Sequence, residues 1–353
     1  MPTLAHVMGP VHDGLFMQPT DADKLKVLLQ EANNVDEPPS VDDVCAFVDL
    51  LKKYWAPADG SRELLALNRV VGTRRSVMGA YDHGFLQAQS ALPWRHFSRE
   101  LIALQLIVRI ADYKFIDQRD HPLCGPVTFM HGIARRNIEE YALYVMGLAE
   151  NRRGDLGTHT VKVKSSSNLL GRHAKPRNSN QICEADYIAL TSLREGSNIF
   201  AYRSASTNRT LEGMSSPASM MQWMRDAGFS NVEDHVHPGW RVHGLRMKAD
   251  RTNLGRNLMR PHLLKMQQRL ANGYTVMLVA ADSLANMARE KDHGQSALMR
   301  ILGGHFMLAL SVDVRQDGAA FGLVTWGEEI EPKIEIPWSK IASWYRGFVC
   351  GQP

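Results

Sequence analysis

Cys124 stands in the stretch FIDQRDHPLCGPVTFMHGIARRN (115–137), with Pro122 just before it and Gly125-Pro126 just after. A lone cysteine is most often a small buried hydrophobe. Here the residues that follow are helix formers, so the sulfur falls near the first turn of a helix. There the unpaired N–H groups and the helix dipole favour negative charge. Such a position lowers a thiol pKa and enriches the thiolate, which is the nucleophilic form. A nucleophile of this kind needs a base, and the carbonyl it attacks needs donors for the developing oxyanion. Gln118 stands six residues ahead of the cysteine. The other cysteines have less to offer. Cys45 falls on an apolar helical stripe beside Val44 and Phe47, and Cys183 and Cys350 have no supporting context.

The chain holds 14 histidines, so local context has to choose the base. His131 lies two turns along the helix from Cys124, roughly 10 Å by helix rise, which is too far. His235, His237 and His243 lie in EDHVHPGWRVHG, the first two alternating as metal ligands could. Without a cysteine or carboxylate at metal spacing they read as surface loop, and no metal or other cofactor is expected. His305 differs. It opens the apolar run HFMLALSVDV after two glycines, the RQDG that follows offers a turn, and AAFGLVTWGEE returns as a partner strand.

The order Gln118, Cys124, His305, Trp326-Gly327 resembles the papain-like cysteine protease superfamily. Cys-Gly-Pro is similar to the bacterial bacteriocin-processing peptidases and to papain-fold toxins and effectors. The resemblance implies a papain-like α+β fold, with the nucleophile on a helix of one half and His305 on an antiparallel sheet. It implies that Gln118 and the Cys124 N–H hold the oxyanion while His305 passes protons. Two departures stand out. CGPVTF lacks the aromatic that papains carry after the cysteine, and Val324 occupies the place of their imidazole-orienting asparagine. Thr325 can serve instead if a bulge shifts the register. Counting pairs back from a turn near Asp317 sets Glu328 or Glu329 opposite His305. A backbone carbonyl or water would leave a Cys–His dyad. Thr325, inside the Trp-Gly motif, is the favoured orienter. Peptide-bond hydrolysis by an effector or toxin is the first expectation, with a protein or peptide substrate and a cognate inhibitor or immunity protein as partner. Glutamine amidase, deamidase or acyltransferase chemistry is second, and a non-catalytic binding module of the same fold is the rival class.

The elements that must position these residues change along the chain. Leu25, Leu28 and Leu29 lie on one stripe of DADKLKVLLQEAN. Ser40 and Asp43 form a capping box before VDDVCAFVDLLKKYW. Helical spacing recurs in FSRELIALQLIVRIADYKF, in EADYIALTSLREGSN and in SPASMMQWMRDAGF, which Ser216-Pro217 opens and Gly228 closes. The basic, breaker-rich segment 161–181 reads as a loop or a flap. Strand-like runs fill the last third. Helices first and strands later argue α+β, divided into a helical extension over 1–95 and a catalytic domain over 96–353.

Composition sets the limits. A net charge of +4 on 353 residues gives no electrostatic case for nucleic acid. Four scattered cysteines make no disulfide scaffold. No window approaches the ~18 apolar residues of a membrane span. The first residues, MPTLAHVMGPVHDGLF, lack the basic-then-apolar order of a Sec signal, so a cytoplasmic protein, or one secreted without a signal peptide, is expected. Phosphate-cradling glycine loops are absent, which removes nucleotide chemistry.

Overall fold

The computed structural model describes residue 4 and residues 20–74, 81–82, 84–119, 121, 123–171, 182–196, 215–236, 255–280, 305–325 and 328–353. It is an α+β protein. The chain forms two compact units. One comprises Met1–Ile116, Ile133–Asp155 and Thr160–Gly196, the other Asp117–Gly132, Leu156–His159 and Ser197–Pro353.

The first unit is helical. Its helices are α1 (Asp21–Asn33), α2 (Val41–Tyr54), α3 (Arg62–Val71) and α4 (Arg99–Ala111), joined later by α6 (Ile138–Asn151) and α7 (Glu184–Gly196). The capping box at Ser40 and Asp43 is present, and Thr20 with Asp23 makes a second at α1. α2 buries Val44, Phe47, Val48 and Leu51, while Cys45 sits half-buried at the edge of that stripe. The expected boundary at residue 95 is not where the structure divides. α1, α2 and α3 all pack on α4, and α3 packs on α6, burying Ala66, Leu67, Val70 and Val71. An amphipathic helix must bury its apolar stripe somewhere, and these three bury theirs on helices from the middle of the chain.

A polar network ties α4 to α7 inside this unit. The Arg109 guanidinium is 1% exposed and grips Asp186 by two bonds, Nε to Oδ1 at 2.7 Å and Nη2 to Oδ2 at 2.6 Å. Nη2 also meets the Cys183 sulfur at 2.8 Å. The basic segment 161–181 is partly ordered into elements. A hairpin of β3 (Arg153–Leu156) and β4 (His159–Lys162) covers its start and a short 3-10 turn spans Asn168–Gly171; residues 172–181 lie outside the described residues. A two-strand pair, β1 (Thr73–Arg74) with β2 (Tyr81–Asp82), completes the unit.

The second unit is built on a six-stranded antiparallel sheet in the order β5-β10-β6-β7-β8-β9. Its strands are β5 (Ser230–Asp234), β6 (Thr275–Ala280), β7 (His305–Val314), β8 (Gly318–Thr325), β9 (Glu328–Pro337) and β10 (Tyr345–Gln352). The turn expected at Arg315-Gln316-Asp317-Gly318 joins β7 to β8, with Arg315 N–H donating to the Gly318 carbonyl at 2.9 Å. Side chains alternate between the two faces. One face carries Val276, Leu278, Ala280, Met307, Ala309, Phe321 and Leu323. It packs on Met259, Leu263 and Met266, which run into α9 (Arg260–Ala271), and on Trp338 and Ile341 of α10 (Trp338–Trp344). The other face receives α8 (Pro217–Asp226), whose Met224 lies over Gly351 of β10. The first turns of α5 (Cys124–Arg136) lie there too, where Gly132 meets Met277 and Thr275.

Candidate active site

Cys124 is the first residue of α5 and is partly exposed. The helix opens on Leu123, whose carbonyl receives the Val127 N–H at 2.9 Å. Leucine carries no side-chain acceptor, so the field at this helix start is available to a sulfur. Gly125 has a specific reason to be glycine. A Cβ there would lie 2.1 Å from Ser215 Oγ and 2.3 Å from Ser215 Cβ. Ser215 is therefore laid against the first turn, one residue from Cys124. Sequence reasoning missed it; the signal available was its place just ahead of the Ser216-Pro217 helix start. Farther along, Phe129 packs its ring 5.6 Å from that of Trp223 in α8. Gly132 then lets the helix down onto β6, with a Cβ there 2.9 Å from the Met277 methyl and 3.1 Å from the Thr275 methyl.

Gln118 lies in the tight turn before the helix. Asp117 accepts from the Arg119 N–H at 2.8 Å and pairs with Arg119 Nε at 2.9 Å, and Arg119 takes a left-handed backbone at φ 49°. The Gln118 carbonyl accepts from the His121 N–H at 3.1 Å. The Gln118 side chain is 4% exposed, and its Oε1 meets no hydrogen-bond donor among the described residues.

His305 opens β7, directly across from Ala280 of β6. Its Nε2 lies 2.9 Å from Thr325 Oγ1 on β8. Burial pushes the imidazole down to a pKa of about 4, so it is neutral at pH 7. The counting that set Glu328 or Glu329 opposite His305 does not hold. A bulge between Ala309 and Ser311 shifts the β7–β8 register by one residue, giving Leu308 opposite Val324. Glu328 and Glu329 belong to β9, where they pair with Thr325 and Val324. Trp326 and Gly327 lie outside the described residues.

All four residues fall in the second unit, and the structure joins His305 to Thr325 directly. Their face is fixed by the register. Paired residues share a face, so His305 lies with Ala280 on the side that packs against α9, as Thr325 does with Leu323. α5 lies on the opposite face, over Thr275 and Met277. Residues able to hold a metal ion lie elsewhere on the sheet, at Glu233, His235 and Cys350.

Compared with protein-family models, with curated proteins and with solved structures, the chain matches none.

Proposed function

We propose that this protein is a cysteine-nucleophile hydrolase of amide bonds, with a papain-like division of labour between a nucleophile helix and an antiparallel sheet. The observation that carries the reading is the bond between His305 Nε2 and Thr325 Oγ1. A hydroxyl on the neighbouring strand fixes the ring, so proton exchange with a thiol runs through Nδ1. The imidazole is neutral at pH 7, the form that can accept a proton. In the proposed reaction Cys124 loses its proton to His305 as it attacks the amide carbonyl. The Gln118 carboxamide and the Cys124 N–H receive the oxyanion. His305 then protonates the leaving amine, and water, deprotonated in turn by His305, releases the acid and restores the thiol. A protein or peptide substrate is the first choice; glutamine amidase, deamidase or acyl-transfer chemistry would use the same groups.

A non-catalytic module of the same architecture is the second reading. One observation favours it: strand alternation puts His305 on the sheet face away from α5. Iodoacetamide labelling with mass mapping separates the two. The hydrolase reading expects Cys124 to alkylate ahead of Cys45, whose thiol pKa is raised by burial and by Asp42 and Asp49, and His305→Asn to slow Cys124 at least tenfold. Labelling of Cys124 indifferent to His305, with no turnover in a cleavage and deamidation screen, would establish the binding module instead.

A further inference from the structure

Glu233 on the edge strand β5 sits directly across from Cys350 on β10, and both share the α9 face of the sheet with Val276. His235 follows two residues later, on the same side. Its N–H donates to the Phe348 carbonyl at 2.9 Å, and its ring lies tilted against that of Phe348, 4.5 Å between centroids. These contacts bring a thiol sulfur, an imidazole nitrogen and a carboxylate oxygen within 4.8 Å of one another. His235 Nε2 and Glu233 Oε2 are 2.6 Å apart. From α9, Arg269 grips both carboxylate oxygens, Nη2 to Oε1 at 2.7 Å and Nε to Oε2 at 3.1 Å, and His262 brings its ring 5.8 Å from that of His235. His262 is itself oriented by the Tyr345 hydroxyl, 2.8 Å from its Nδ1.

We propose that Glu233, His235 and Cys350 form a binding site for a divalent transition-metal ion of borderline softness, zinc above all. The donor set argues the class of ion. One thiolate, one imidazole and one carboxylate is a mixed set that zinc accepts and that magnesium and calcium do not favour. Tetrahedral zinc needs its ligands a little closer than 4.8 Å, a shift within reach of side chains on a strand edge and the loop after it. The surroundings are built as metal surroundings are. Arg269 holds the carboxylate by both of its oxygens, and Phe348 packs against the imidazole, so both ligands are oriented from outside. His262 lies beside His235, its ring 5.8 Å away. At neutral pH the ordinary form of a free cysteine is the thiol. Binding breaks the S–H bond and forms a sulfur–metal bond, with that proton passing to solvent. One thiolate and one carboxylate then neutralise the doubly charged ion, leaving Arg269 as the outer cation. The ion would pin the edge strand β5 to β10. None of these residues belongs to the Cys124 site, so this inference stands or falls separately from the hydrolase reading.

The full-length protein, stripped with chelator and titrated with cobalt(II) and then zinc, tests it. The expected result is one cobalt per chain, with the absorption of a tetrahedral thiolate complex, displaced by zinc and accompanied by a rise in Tm. The thiolate band should vanish in Cys350→Ser and weaken at least tenfold in apparent affinity in His235→Ala. The second variant also guards against the buried Cys350→Ser failing to fold. A wild-type protein without the band would overturn the proposal. So would a band that survives either substitution unchanged or disappears in Cys124→Ser instead.

Discussion

At the scale of single residues, the imidazole of His305 makes the sharpest claim. Its folded pKa of about 4 lies below the ordinary value of 6.5, because burial disfavours the charged ring. Between those two values the unfolded chain binds more protons than the folded one. Stability is therefore fully present above pH 6.5 and declines as pH falls towards 4, by up to about 3 kcal/mol. Urea denaturation of wild type and His305→Asn across that window checks it: the variant should lose this part of the acid slope. Thr325→Val removes the hydroxyl that meets Nε2. It should cost roughly 1–3 kcal/mol, whereas Thr325→Ser should keep most of the stability. Equal losses in both variants would assign the position to methyl packing instead. Under the proposed hydrolase reading, Cys124→Ala should abolish turnover and leave Tm within a few degrees, since the thiol is partly exposed. A collapse of the fold in that variant would return Cys124 to the core.

At the scale of elements, two glycines set where α5 lies. Gly132 faces the flexible tip of Met277 and a methyl of Thr275, so Gly132→Ala should cost little, while Gly132→Leu overpacks the helix–sheet contact at about 1–3 kcal/mol. Gly125 faces the Cβ and Oγ of Ser215 at distances no real Cβ tolerates. Gly125→Ala should therefore displace Ser215 and the start of the helix, changing the rate at which Cys124 is alkylated. Combining it with Ser215→Gly should restore that rate. Absence of rescue in the double variant would mean that the two residues do not press on each other in solution.

At the scale of the whole molecule, the chain contributes three separate segments to each of its two compact units. The first unit draws α6 and α7 from far along the sequence, and its N-terminal helices bury their stripes on α4 and α6. A fragment cut at residue 95 would expose the ground that Leu67 and Val70 of α3 cover. Residues 96–353 alone should therefore aggregate or lack a cooperative transition, and a well-folded fragment would contradict this packing. The buried Arg109–Asp186 pair binds α4 to α7 in the same unit. Arg109→Met strands a carboxylate that is 1% exposed and should cost about 3–5 kcal/mol, read by denaturation.

The sequence by itself determined what depends on a short window. The Ser40/Asp43 box, the Ser216-Pro217 start and Gly228 stop of α8, and the turn between β7 and β8 are local signals, and the structure follows them. His305 and Thr325 were also within reach, because one hairpin joins them. Tertiary structure decided the rest. The bulge at Ala309 and Ser311 moved the β7–β8 register by one residue and took Glu328 out of contention. Ser215 reached Gly125 from 90 residues away along the sequence, a pairing no spacing rule encodes. β5 and β10 carried too little alternation to be read as strands, and only their pairing put Cys350 beside Glu233 and His235. Periodicity reports which face of an element is apolar. Which distant element covers that face depends on closing long loops against the competing packings of the whole chain, and that balance is settled only when the sheet is assembled.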